Sequence, residues 1–132
     1  VKAINSFITI DMRNDRQNLI VDKTVKFSVK MISFCEKLQR LGKDVVARQL
    51  LKSATSIGAN VFEAQDAESA ADFIHKMKVA AKEATETFYW LRLCEASDGY
   101  HFDRQYMQDI EEIGKILSKI IATSKKAVLS AA

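Results

Sequence analysis

The stretch SATSIGANVFEA, residues 53–64, has a helical pattern that is built mostly from small side chains. At 100° per residue, the segment and the residues before it form one apolar stripe, as on a helix that faces a core. The stripe comprises Val46, Leu50, Ala54, Ile57, Val61 and Ala64. A polar stripe runs beside it at spacings of four and three, which is typical of residues that keep facing one neighbouring helix. Its members are Gln49, Ser53, Ser56, Asn60 and Glu63.

A third group widens the apolar surface of this helix on the other side of the core stripe. It contains Leu51, Gly58 and Phe62. A glycine inside a helix costs about 1 kcal/mol relative to alanine, so we expect another backbone to approach closely at Gly58. The helix is therefore predicted to be buried on two sides, with the polar stripe, Gly58 and Phe62 in helix packing or in an oligomer contact.

Capping signals divide the chain around this segment into four helices. The helices are expected over about residues 23–41, 44–65, 69–97 and 103–126. Candidate N-caps are Asp22, Asp44, Ser69 and Asp103, and Gly42 is the preferred residue type just past a helix end. Helices of matched length with short connections predict an all-α fold, an up-down-up-down antiparallel four-helix bundle.

The predicted bundle occupies residues 18–126, preceded by a flexible arm or extension over residues 1–17 and followed by a frayed tail over residues 127–132. Its apolar faces should meet in one core. The expected core residues are Phe27, Met31, Phe34, Leu38, Leu50, Ala54, Ile57, Val61, Phe73, Met77, Ala84, Leu91, Ile110, Leu117 and Ile121.

Composition agrees with a single helical domain. The 132 residues include no proline and only four glycines, so the residues that usually form the turns of β-hairpins are scarce. Cys35 and Cys94 lie in apolar helical patterns, as expected for reduced core thiols in a cytoplasmic protein. No apolar run approaches the roughly 20 residues of a membrane-spanning helix, so no membrane association is expected.

The carboxyl half of the third predicted helix, FYWLRL, carries large apolar residues nearly all round. Val79, Trp90 and Leu93 lie opposite the predicted core face, which favours an interface between copies of the chain. The alternative is a thicker monomer core with a few ordinary exposed aromatics.

The blocks QLLKSATSIGANVFEA and DFIHKMKVAAKEATETFYWL, in this order, resemble the four-helix-bundle family encoded by intervening sequences in bacterial 23S ribosomal RNA genes. The resemblance spans about residues 18–126, and its motifs are S-x-S-I-G-A-N-x-x-E and E-x-x-Y-W-L. That family is similar to the accessory variability protein of diversity-generating retroelements. The resemblance implies a barrel-shaped, cyclic homopentamer with a basic surface for nucleic acid or a reverse transcriptase. It gives the matched residues a structural role and supplies no catalytic residue.

Charge is segregated along the chain, although the net charge is only +3. Residues 1–52 have a balance of +6, residues 53–112 of −7 and residues 113–132 of +4. Helical wheels align two basic strips, which a cyclic oligomer would multiply into a surface suited to phosphate backbones. The strips comprise Lys23, Lys26, Lys30, Lys37 and Arg40 on the first helix, and Lys115, Lys119 and Lys126 on the fourth. No aromatic residues are interleaved with them, so base stacking is not predicted.

Two functions remain open. The first is a non-catalytic homopentamer that binds structured RNA or DNA through the basic strips. The second is a protein-interaction scaffold for a reverse transcriptase or a ribosome-associated partner, in which the lysines are a solvated face or meet the acidic middle of a neighbouring subunit.

An enzyme, a metal site and a cofactor are not expected. Asp72 and His75 have the i, i+3 spacing of a di-metal bundle site, but such a site needs two pairs and two further carboxylates. Only one pair occurs, and His101, the other histidine, falls in a predicted turn. Glu83 and Glu86 have no partner positioned by sequence for acid–base work.

Overall fold

The computed structural model describes residues 15–131, which form four α-helices and, within that range, no strand. The helices are α1 (Asp15–Arg40), α2 (Asp44–Gln65), α3 (Ala70–Ala96) and α4 (Gln105–Ala131). α1 packs against α2 and α4, and α3 packs against the same two helices. The prediction of an all-α, packed four-helix bundle is confirmed.

The beginning of α1 differs from the prediction. Asp22 lies inside α1, and its carboxylate pairs with the Lys26 ammonium one turn later at 3.0 Å, so its prediction as an N-cap is wrong. The helix extends upstream because its apolar face does, since Ile20 is fully buried. Residues 15–17 of the predicted arm therefore belong to α1, and residues 1–14 lie outside the described residues.

Three other predicted helix boundaries are confirmed. Gly42 follows α1 with a φ of +78°, in the left-handed region that favours glycine. The Ser69 hydroxyl accepts a hydrogen bond from the Asp72 amide at 3.0 Å and caps α3. The Asp103 carboxylate accepts one from the Gln105 amide at 2.9 Å at the start of α4.

Two boundaries need correction. Asp44 is the first residue of α2 rather than its cap, and the preceding residue, Lys43, makes no side-chain cap hydrogen bond. The Asp44 carboxylate still lies in the first turn, where the helix dipole favours negative charge. α4 continues to Ala131, so residues 127–131, predicted as a frayed tail, are helical; Ala132 lies outside the described residues. The AVLSA segment contains two alanines and a leucine, which are good helix formers.

The core lies between all four helices. Of the 15 predicted core residues, 13 are buried, whereas Phe73 and Ile121 are partly buried and pack against the same cluster. The cluster also includes Cys35 and Cys94, which are free thiols. Burial raises the pKa of Cys35 to about 12 and that of Cys94 to about 11, because a thiolate is poorly solvated there.

Candidate nucleic-acid interface

The first three lysines of the predicted α1 strip have carboxylate partners. Lys23 pairs with Glu112 of α4 at 2.8 Å, and Lys30 pairs with Asp109 of α4 at 2.8 Å. The hydrogen bond to Asp109 raises the pKa of Lys30. Lys26 pairs with an acid of its own helix, as described above. These lysines therefore connect α1 to α4 or neutralise a neighbouring carboxylate, and their positive potential is locally reduced.

Lys37 and Arg40, the last two cations of this strip, differ from the others. Both side chains are exposed in the last turn of α1, and within residues 19–131 neither takes part in an ion pair. They line a cavity of about 280 Å³ together with residues that precede α4.

The lysines of α4 lie along a groove between α3 and α4. Lys115 and Lys119 line this groove, which has a volume of about 750 Å³. Its wall is made mainly of small and apolar side chains, and a Cβ at Gly114 would meet no atom of the described residues within 4 Å. The other lining residues are Ala81, Ala84, Thr85, Phe88, Ile110, Glu111, Gly114 and Ser118. Lys126, the third predicted lysine, is exposed.

Lys78 of α3 and Lys125 of α4 add a cationic pair that sequence reasoning missed. The two ammonium groups interact across the helices, and repulsion from Lys78 lowers the pKa of Lys125. Lys78 belongs to residues 53–112, whose net charge is −7, so the net charge of that segment does not reveal a basic residue there. Only the packing of α3 on α4 brings the two lysines together.

Residues of the polar stripe of α2 contact α3 of the same subunit. The buried Thr87 hydroxyl of α3 donates a hydrogen bond to the Ser53 hydroxyl at 2.9 Å. Glu63 pairs with Lys76 of α3 at 3.1 Å. Gln49, at the start of the stripe, is exposed. The predicted contact of this stripe with one neighbouring helix is thus seen at Ser53 and Glu63, and that neighbour is α3.

In the middle of the stripe, the polar side chains form hydrogen bonds with backbone carbonyls of α2 itself. The Asn60 amide donates to the Ser56 carbonyl at 2.8 Å, and the Ser56 hydroxyl donates to the Lys52 carbonyl at 2.7 Å. Gly58 packs against α1, because a Cβ there would lie 3.4 Å from the Cβ of Thr24. The nearest atoms belong to the side chains of Thr24 and Ser28, at van der Waals distances, so the contact is with side chains of α1 and not, as was predicted, with another backbone.

The predicted outer patch of α3 is partly exposed. Val79 and Trp90 are partly buried, whereas Leu93 is exposed. The Trp90 indole donates to the Glu86 carboxylate at 3.1 Å and packs edge-on against the exposed Tyr89. Phe62 of α2, also predicted to pack, is 43 % exposed.

An apolar stripe on the outside of α1 was missed by the sequence reasoning. Val25, Val29 and Ile32 are exposed by 42, 61 and 44 %. Their spacings of four and three place them on one face, and this periodicity was the signal that could have revealed them.

The residues considered as metal or acid–base candidates, apart from His101, all lie on α3. His75 is exposed, and the Asp72 carboxylate accepts a hydrogen bond from the Glu68 amide at 3.2 Å at the start of α3. Burial, and then the neighbouring Glu86, raises the pKa of Glu83. Residues 19–131 contain no group of three acidic, histidine or cysteine side chains arranged to hold a metal ion. In the same part of the chain, no helix is apolar enough over a sufficient length to cross a bilayer.

Comparison with known proteins finds one matching family and a similar solved structure. Residues 16–119 match the profile of the 23S rRNA-intervening sequence protein family. The chain is also similar to a crystal structure of a protein with unknown function from the S23 ribosomal protein family of Bacteroides thetaiotaomicron VPI-5482. The two share 40% identity with a TM-score of 0.76, over 81% of this chain and 98% of that one. No curated protein matches the chain significantly.

Proposed function

Because the chain belongs to the 23S rRNA-intervening sequence protein family, we propose that it is a non-catalytic homopentamer that binds structured RNA or DNA through lysine-bearing surfaces. An up-down-up-down antiparallel course of the helices is part of this proposal. Two ion pairs between α1 and α4 support it, Lys23–Glu112 and Lys30–Asp109. From the first pair to the second, the residue number rises along α1 and falls along α4, as expected for antiparallel helices.

The observation that carries nucleic-acid binding is the group of lysines on α3 and α4. Its members are Lys78, Lys115, Lys119 and Lys125. Lys78 and Lys125 repel each other, so an anion placed between them would replace a repulsion by two attractions. A phosphate backbone provides such anions at regular spacing and releases condensed counterions when lysines neutralise it.

The α1 lysines contribute less to this proposal than those of α4. A phosphate approaching Lys23 or Lys30 would also meet the carboxylates of Glu112 and Asp109. Their repulsion would offset part of the attraction to the ammonium groups. The proposed phosphate-binding surface is therefore the α3–α4 side of the bundle, and a cyclic assembly would repeat it in each subunit.

The test is the affinity of the double variant Lys78→Glu/Lys125→Glu for a hairpin RNA and a matched DNA duplex, measured by fluorescence anisotropy. Each lost phosphate contact should reduce the slope of log affinity against log salt by roughly 0.9 on the duplex. The matched control is Lys26→Glu/Arg48→Glu, which makes the same charge change on exposed side chains of α1 and α2. Equal loss of affinity in both variants would contradict a localised α3–α4 surface.

A protein-interaction scaffold is the second candidate, and the exposed apolar residues of α1 and α3 favour it. In that case these surfaces would bind a reverse transcriptase or a ribosome-associated protein, and the lysines would only be solvated. The anisotropy measurement separates the two candidates, because a scaffold without nucleic-acid contacts would bind neither probe at low salt.

A further inference from the structure

The cavity at the carboxyl end of α1 combines cations with aromatic rings. It is formed where the last turns of α1 meet the connection between α3 and α4, and its volume is about 280 Å³. Its lining residues are Phe34, Lys37, Arg40, Leu41, Tyr100 and His101. None of the residues that line the α3–α4 groove is among them, so the two sites are separate.

The cavity has a positive potential that its own lining does not neutralise. Among the residues that the structure describes, no carboxylate lines it, whereas Asp109 and Glu112 line the cavity between α1 and α4 that holds Lys23 and Lys30. A third cation lies close by, because the Lys43 ammonium is 5.3 Å from the centre of the Tyr100 ring. This contrast marks the cavity as an anion site rather than another intramolecular ion-pair cluster.

Lys37 and Arg40 are not needed to satisfy the end of the helix. The carbonyl of Leu38 accepts hydrogen bonds from the amides of Leu41 and Lys43, at 3.1 and 2.8 Å. The Lys37 and Gln39 carbonyls accept from the amides of Leu41 and Gly42. Cations near a helix end often serve its carbonyl groups, but here backbone amides do so. Both cationic side chains therefore remain available to a ligand.

Aromatic packing fixes the segment that carries Tyr100 and His101. Phe102 packs edge-on against Phe34 with ring centres 6.1 Å apart, and it packs against Tyr106 at 5.7 Å. These contacts tie the connection to the core next to Tyr100 and His101. His101 has a φ of +45°, a left-handed conformation that is uncommon for residues other than glycine. The exposed imidazole and the partly buried phenol thus sit beside the cations on an anchored segment.

We propose that this cavity binds a nucleoside phosphate, either as a free mononucleotide or as an unpaired nucleotide of RNA or DNA. The Arg40 guanidinium can contact a phosphate with two parallel hydrogen bonds, and Lys37 adds a point charge. The base packs against the aromatic and apolar wall of Tyr100, His101 and Leu41, as bases stack on aromatic side chains elsewhere. A volume of about 280 Å³, just below the usual range for small-molecule pockets, suits one nucleotide unit rather than a larger ligand.

The two histidines of the chain provide a site and an internal control for the test. We would titrate the full chain with adenosine monophosphate, adenosine, inorganic phosphate and a five-residue oligoadenylate, and follow the imidazole resonances by NMR. Adenosine monophosphate should shift the His101 signals with saturation, while those of the exposed His75 on α3 stay unchanged. Adenosine and phosphate alone should each bind at least tenfold more weakly, because each offers half of the recognised chemistry.

Substitutions then assign the contacts. Arg40→Gln should weaken adenosine monophosphate binding at least tenfold, whereas the control Arg48→Gln, at an exposed position of α2, should leave it unchanged. Tyr100→Leu should weaken binding of the nucleotide but not of phosphate. Tighter binding of the oligoadenylate than of the mononucleotide would support an unpaired nucleotide as the natural ligand, and the reverse order would support a free one.

The proposal is overturned if His101 does not respond to either nucleotide probe, or if Arg40→Gln binds like the native chain. A shift by phosphate equal to that by adenosine monophosphate would overturn the base-binding part. Since Lys78 and Lys125 lie outside the cavity, their double variant should retain mononucleotide binding. Failure of this site and failure of the proposed phosphate-binding surface are thereby distinguished.

Discussion

At the scale of single residues, the two glycines inside helices have opposite environments. A Cβ at Gly58 would lie 3.4 Å from Thr24, whereas one at Gly114 would meet no atom within 4 Å. Gly114→Ala should raise the free energy of unfolding by about 0.5–1 kcal/mol, because alanine is the better helix former. Gly58→Leu should lower it by about 1–3 kcal/mol through overpacking against α1. Urea unfolding measures both, and a Gly58→Leu variant as stable as the native chain would contradict the packing of α1 against Gly58.

The two buried thiols make a prediction about reactivity and alkaline stability. Because burial raises the pKa values of Cys35 and Cys94, both should resist alkylation in native protein at pH 8 and react readily in urea. The folded state retains these protons while the unfolded state loses them above about pH 9, so stability should fall as pH rises from 9 towards 11. A Cys35→Ala/Cys94→Ala variant should lack this part of the pH dependence. Fast alkylation of the folded chain would contradict burial.

The hydroxyl pair between α2 and α3 is a third residue-scale feature. Thr87→Val keeps the shape of the side chain but removes the donor to Ser53, so it should cost about 1 kcal/mol of unfolding free energy. Adding Ser53→Ala removes the remaining buried hydroxyl, and the double variant should cost less than the sum of the single ones. Additive costs in urea unfolding would mean that the two hydroxyls do not interact.

At the scale of helices, α1 and α4 are joined partly by ion pairs. Asp109→Asn should lower the free energy of unfolding by less than about 1 kcal/mol, because Lys30 is half exposed and water screens the pair. The difference should shrink further in 1 M salt, and unfolding at both salt concentrations measures it. Since the pKa of Lys30 is raised, this contribution is complete at neutral pH and is lost as pH rises above about 10.5. A cost that grows with salt would contradict the assignment.

The sequence predicted the helices better than the surface they form together. Apolar periodicity placed 13 of 15 core residues correctly, because a helical stripe depends only on local spacing. Asp22 failed as a cap because the apolar face of α1 extends upstream to Ile20, so that the Asp22 carboxylate lies inside the helix and pairs with Lys26. The wheel aligned Lys23 and Lys30, but their pairing with Glu112 and Asp109 depends on how α1 and α4 are registered.

Several residues of the two proposed sites were missed for the same physical reason, because only helix packing brings them together. Lys78 becomes part of a cationic surface only when α3 packs against α4, and no local pattern reports that contact. Tyr100 and His101 stand about 60 positions from Lys37 and Arg40 in the printed sequence, and only the fold brings them to one cavity. The sequence therefore predicted no base stacking along the strip, although aromatic rings lie at its end.

At the scale of the whole molecule, we expect the apolar stripe of α1 to be covered by a neighbouring subunit in the proposed pentamer. Val29 is 61 % exposed between Val25 and Ile32, and a charged side chain there would have to be desolvated in any contact that covers the stripe. Val29→Glu should therefore dissociate the proposed pentamer. Val45→Glu, at an exposed position of α2, is the matched control. Light scattering should give the native chain a mass five times its 14.9 kDa, and a native mass of one chain would contradict the assembly.

The proposed binding of nucleic-acid phosphates by the lysines of α3 and α4 is tested by a salt series on the native chain. Fluorescence anisotropy with a DNA duplex should show log affinity falling linearly with log salt, with a slope of about −0.9 for each phosphate neutralised. Four lysines per subunit, Lys78, Lys115, Lys119 and Lys125, should give a slope of about −3.6 if each of them contacts one phosphate. Absence of binding at low salt, or binding with a slope near zero, would contradict phosphate binding by these lysines.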